Sequence, residues 1–136
     1  MISCDLADER VKCAHWAAVA VPIFERHLKL HPDDENTKVS HAVLLLLSDR
    51  TDDAHRAALQ LKVLRDGVSL YNAAYLFERL GDKKEALITL RKAIEAGFKN
   101  VTNLREFLTE NKEGVLDLAG TPEYEEVKRM VDSITN

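Results

Sequence analysis

The residues of this 136-residue chain best suited to metal or proton chemistry are five histidines and two cysteines. His27 and His31 stand four apart, the spacing at which two imidazoles on one helix share a metal ion, and Cys13 and His15 lie upstream. These four are the ligand set of one reading, a small metal-binding protein or metal-dependent enzyme. A metal centre needs three or four convergent ligands. His31 precedes Pro32, where a helix has to end, and no carboxylate-plus-histidine motif accompanies the pair. The expectation is therefore exposed or partly packed side chains and no bound metal. His41 falls on the packing face of its segment and is expected as a satisfied interior histidine. His55 is expected to face solvent.

Carboxylates are plentiful: Asp33, Asp34 and Glu35; Asp52 and Asp53; Glu123, Glu125 and Glu126. Each cluster sits at the start of a helical segment, where capping and the helix dipole account for it. No nucleophile elbow, Gly-rich phosphate loop or Ser/His/Asp constellation is present. The chain is expected to have no catalytic residues and no cofactor.

Composition narrows the classes further. Apolar residues make up 46% and charged residues 31%, a globular balance, while aromatics at 6% argue against a base-stacking platform. The net charge is −4 with its cations dispersed, so no basic stripe tracks a phosphate backbone and nucleic acid is not an expected partner. The longest apolar run, AVLLLL at 42–47, is too short to span a membrane. Two cysteines are too few for a disulfide framework, so the expected compartment is the reducing cytoplasm.

The elements that would position any site are helices. Apolar residues recur at period 3.6 almost throughout, and no strand-type alternation persists. The segment 17–30 sets Ala17, Ala20, Val21, Phe24 and Leu28 on one face, and Pro22 is read as lying near enough its start to be tolerated with a slight bend. The segment 36–48 is apolar nearly all round. Thr51 is read as an N-cap, followed by a helix presenting Ala54, Ala57, Ala58, Leu61 and Leu64. A helix over about 68–80 turns Leu70, Ala73, Ala74, Phe77 and Leu80 inward. Asp82 caps the next one, with Glu85 at capping-box spacing and Gly97 after the last turn. A short helix near 102–110, a loop through Gly114 and Gly120, and a last helix announced by Thr121 and Pro122 complete the chain. Short turns make these helices antiparallel neighbours. The alanines at 73, 74, 86 and 93 permit two backbones to approach closely.

The run LYNAAYLFERLGDKKEALITLRKAIEAGF, residues 70–98, resembles one tetratricopeptide repeat, a helix–turn–helix unit of about 34 residues, through Leu70, Ala73, Ala74, Phe77, Gly81, Asp82, Ala86, Leu90 and Ala93. Phe98 stands where the family usually has proline. AVPIFERHLKLHPDD, residues 20–34, resembles the second helix and exit of an earlier repeat, with His27 departing from the usual small residue. The middle unit matches through Ala42, Leu45, Ala54 and Ala58, lacks the turn glycine and is about two residues short. Residues 1–16 stand as the first helix of the first repeat, or run on unbroken into the next segment. The tail, through Leu116, Leu118, Pro122 and Tyr124, is similar to the ending of bacterial repeat arrays, with its closing helix. The resemblance implies one all-α domain over 1–136, a right-handed helical-hairpin solenoid of units 1–34, 35–66 and 67–100 with a cap over 101–136. Arrays with this ending are often joined to a cyclase, a kinase or a transcription regulator, so the chain is expected as a fragment or a stand-alone relative of such a module.

In that family the first helix of each hairpin lines a concave groove that binds a partner protein or peptide. Carried onto this chain, the groove is Val39, Val43, Leu46 and Leu47 from one helix and Tyr71, Asn72, Tyr75 and Arg79 from another, with Asn36, Val68 and Glu78 on the same faces. The basic residues of the family's clamp for acidic chaperone tails are missing, so that ligand is not expected. The expected function is a protein-interaction module or scaffold. Beside the metal reading stands a structural one, in which a second copy of the chain or residues 1–16 cover the apolar face and the chain is a homodimerisation domain.

Overall fold

A computed structural model describes residues 7–110 and 113–134. Among them are seven α-helices and two short 3-10 turns, and no strand. The helices are α1 (Ala7–Leu30), α2 (Glu35–Leu47), α3 (Thr51–Leu59), α4 (Gly67–Arg79), α5 (Lys83–Glu95), α6 (Val101–Thr109) and α7 (Pro122–Ile134). The chain divides into two compact units, Met1–Leu61 and Lys62–Asn136.

In the first unit α1 packs on α2 and α2 on α3. α1 is one unbroken helix of 24 residues, so its described part forms no hairpin. No glycine or proline lies in residues 7–21 to break it, and this moves Pro22 from the start of a helix to its interior. There it leaves the Ala18 carbonyl without its intrahelical donor. Both residues are exposed, which lets water satisfy that oxygen. The buried stripe of α1 is Ala17 and Val21, flanked by half-buried Phe24 and Leu28. α1 ends before Pro32 as expected. Asp34 then caps α2, accepting from the Thr37 backbone N–H at 3.2 Å. Thr51 is the first residue of α3 and not its cap; that place belongs to Arg50, which makes no side-chain cap bond.

The second unit is organised around the α4–α5 hairpin, with α7 on α5 and α6 on α7. Ala73, Ala74, Ala86 and Ala93 are each 0% exposed, as a close helix crossing requires. Asp66, Asp82 and Asn100 cap α4, α5 and α6, each accepting from the backbone N–H three residues on. Thr121 does the same for α7, and its Oγ1 lies 3.4 Å from the Tyr124 nitrogen. Tyr124, Val127 and Val131 bury the inner stripe of α7.

The two hairpins share a plan. α2 and α4 are both 13 residues long and begin at residues 35 and 67, an offset of 32; α3 and α5 begin at 51 and 83, the same offset. Asp34 and Asp66 are N-caps at this offset. So are the paired core positions Val39 and Tyr71, Ala42 and Ala74, Leu45 and Phe77, Ala54 and Ala86, Ala58 and Leu90, and Leu61 and Ala93, all buried. The turn residue Gly81 (φ +84°) has its counterpart in Asp49 (φ +63°). At both turns the next backbone N–H reaches five residues back, Arg50 to the Leu45 carbonyl and Asp82 to that of Phe77, each at 2.9 Å. Aspartate is one of the few side chains that tolerate this left-handed conformation, so the middle unit turns without the glycine its pattern lacks.

Candidate functional site

The eight residues of the expected groove fall four in each unit. On α2, Val39 is 2% exposed and belongs to the core, while Val43, Leu46 and Leu47 are half-buried. On α4, Asn72 and Tyr75 are half-buried and Arg79 is exposed. Tyr71 is 8% exposed and sits inside an aromatic cluster. Its ring stacks on Phe98 at 4.4 Å and 12°, meets Tyr75 edge-on at 5.3 Å, and lies 6.1 Å from Phe107. Its hydroxyl donates to the Asn103 carbonyl at 3.3 Å. Burial pushes the Tyr71 phenol above its ordinary range, with the Tyr75 hydrogen bond acting in the same direction. Tyr75 in turn meets Phe107 edge-on at 4.8 Å.

On the α4 face expected to line the groove, Tyr71, Tyr75 and Glu78 are thus met within their own unit by the chain that follows α5, while Val68 and Arg79 are exposed. Phe98, in the family's proline position, supplies the ring that seals Tyr71. Glu78, on the same face, is half-buried and accepts the Val115 backbone N–H at 3.1 Å. Burial pushes its carboxyl up, opposed by that hydrogen bond. It fixes the 3-10 turn Val115–Leu118 onto α4, a structural task. Val115 is fully buried there, while Leu116 and Leu118, the tail residues of the resemblance, are half-buried.

The histidines and cysteine do not converge. His27 Nε2 lies 2.8 Å from Asp34 Oδ2, which joins the last turn of α1 to the cap of α2. The His27 and His31 rings are 4.7 Å apart, tilted by 35°. His15 is exposed and edge-on to Trp16 at 5.8 Å. Cys13 is disulfide-bonded, so it is not a thiolate ligand, and the expected reduced thiol is corrected at this position. Among the described residues no group of three His, Cys, Asp or Glu side chains is placed to hold a metal ion. His41 is half-buried with its Nε2 3.3 Å from Glu25, and His55 is exposed.

In the first unit, α1, α2 and α3 line an open concavity that holds two sets of paired charges. Asp53 accepts from Arg50 at 2.8 Å and also from Arg56, and these guanidinium groups hold its carboxyl below the usual range, Arg50 first. Glu25 and His41 face each other across the same concavity.

An exposed apolar stripe lies elsewhere, on the outer side of α1. Trp16 is 68% exposed, Val19 49%, Ile23 61% and Leu30 74%. They follow one another at helical spacing, opposite the Ala17, Val21, Phe24 and Leu28 stripe that meets the core. Sequence reasoning missed them because it looked for a single apolar face. The available signal was a second one: α1 has apolar residues on both sides, and a helix needs only one side to pack on its neighbours.

No protein-family model matches the chain, and neither curated proteins nor solved structures provide a match. Among the described residues no helix is long and apolar enough to cross a membrane.

Proposed function

We propose that the chain is a non-enzymatic protein-interaction module built from tetratricopeptide-like helical hairpins, with the outer face of α1 as its recognition surface. The repeat reading is supported by the offset of 32 residues, which relates α2 to α4 in length and N-cap and relates α2–α3 to α4–α5 in helix starts, turn geometry and buried positions. The observation that carries the functional reading is the exposure of Trp16, Val19, Ile23 and Leu30 on one side of one helix. Large apolar side chains aligned in water are costly to keep soluble and mark contact surfaces, and tryptophan is the residue most enriched among binding anchors. Val43, Leu46 and Leu47 add a half-buried apolar strip on α2. Val39 and Tyr71 are core residues and lie outside the proposed surface.

Affinity capture with the wild-type chain and with Trp16→Ser/Ile23→Ser tests this, alongside melting curves of both. The double variant loses its bound polypeptide while its stability stays within about 0.5 kcal/mol of the parent at each exposed position. Equal capture by both proteins would refute the assignment of the surface.

A further inference from the structure

We propose that the concavity of the first unit is a binding site for a small organic acid, one carboxylate on an apolar body; this does not rest on the outer face of α1. The concavity has a volume of about 540 Å³, within the range of small-molecule sites. Leu28, Leu45 and Leu61 give it an apolar lining, and Lys38, Arg50 and Arg56 add cations. The second hairpin shows that the fold does not require this lining. At the offset of 32 residues Lys38 corresponds to Leu70, His41 to Ala73 and Leu61 to Ala93. Leu70 is 3% exposed, and Ala73 and Ala93, at the close α4–α5 crossing, are 0% exposed. In place of those alanines the first hairpin has a half-buried histidine and a buried leucine, too large for the same approach, and in place of Leu70 a half-buried lysine. Ionisable groups at core positions are costly unless they stay hydrated or find polar partners. The first hairpin is therefore open and polar where its counterpart is closed and apolar.

Charge selects the ligand. The three cations of the lining face the carboxylates of Glu25 and Asp53, which leaves one net positive charge with His41 neutral, in a chain whose net charge is −4. A single added carboxylate balances that charge, whereas a phosphate dianion leaves an excess of negative charge beside Glu25 and Asp53. The guanidinium fork also matches the planar carboxylate. Asp53 shows the two arginines already holding one: Arg50 Nε lies 2.8 Å from one of its oxygens, and Arg56 meets the other. Each arginine meets Asp53 through one nitrogen, and a guanidinium has five N–H donors. The pair can therefore share a second carboxylate, with the ligand's apolar body against the leucines.

The test uses the full chain, with hexanoate, benzoate and phenylacetate as probes and their neutral amides and inorganic phosphate as controls. Backbone amide NMR titration is expected to give saturable shifts clustered around Lys38, His41, Arg50 and Arg56. The best of the three acids is expected to bind at least about tenfold more tightly than its amide and than phosphate, the order of effect of one charge-assisted hydrogen bond. Arg56→Gln and, separately, Lys38→Gln are each expected to weaken that acid by about tenfold or more, with helix content by circular dichroism unchanged. Absence of saturable shifts with all three acids overturns the proposal. So do shifts centred on Trp16 and Ile23, an amide that binds as tightly as its acid, phosphate that binds as tightly as the acids, or parent-like binding by both variants.

Discussion

Replacing Tyr71 with alanine separates a core residue from a groove residue. Tyr71 is 8% exposed, stacked on Phe98 at 4.4 Å, with its hydroxyl donating to the Asn103 carbonyl. Truncating a large buried aromatic to alanine costs about 3–5 kcal/mol. With a urea slope of about 2 kcal/mol per molar, that lowers the denaturation midpoint by about 1.5–2.5 M. Tyr71→Phe keeps the rings stacked and removes one hydrogen bond, worth about 0.5–1.5 kcal/mol, so its midpoint falls by well under 1 M. The assay is urea denaturation followed by circular dichroism for the parent and both variants. An exposed groove residue would change stability by only about 0.5 kcal/mol. A Tyr71→Ala variant that unfolds within that margin of the parent would show that the aromatic cluster is not what holds α4.

Ala86→Glu forces a long charged side chain into the α4–α5 crossing at a position with 0% exposure, and is expected to cost more than about 3 kcal/mol; parent-like melting would refute the close crossing. In Gly114→Ala the new Cβ would lie 2.6 Å from Glu78 Oε2, so the carboxylate must leave the Val115 N–H. The expected cost is about 1–3 kcal/mol, and a double-mutant cycle with Glu78→Ala should show the two losses overlapping rather than adding. Asp34 is held at about 2, below its ordinary 3.8, first by the His27 hydrogen bond and then by Thr37. A carboxyl with a lowered folded value contributes stability above pH about 4 and loses it as pH falls through about 2. Acid titration of Asp34→Asn should therefore lack that part of the parent's loss.

The α4–α5 hairpin was legible because its signals are local. Gly81 and Asp82 punctuate the chain, and alanines at helical spacing mark a close crossing. The α7 start was legible for the same reason, through Thr121 and Pro122. The turn of the middle unit was not, since Asp49 does a glycine's work and looks like any surface aspartate. Nor was the burial of Tyr71. Periodicity reveals that α4 has an apolar face toward α5, yet Tyr71 is covered by Phe98 and Phe107, and Glu78 by the Val115 turn, from 27 to 37 positions further along the chain. The continuity of α1 stood as one of two readings, because the buried stripe Ala17 to Leu28 does not mark where its helix begins, and the described part of α1 takes the unbroken one. The outer stripe was missed, because Trp16, Val19, Ile23 and Leu30 serve no packing within the helical core.

The central claim is that α1 binds a polypeptide through its outer face. Replacing Trp16 by a photoreactive aromatic amino acid, with Lys84 on exposed α5 surface as the control position, tests it directly. Irradiation at position 16 is predicted to join the chain to one defined polypeptide segment, mapped by mass spectrometry, while position 84 gives only background. Equal background labelling at both positions, at concentrations where the chain is folded, would contradict the account.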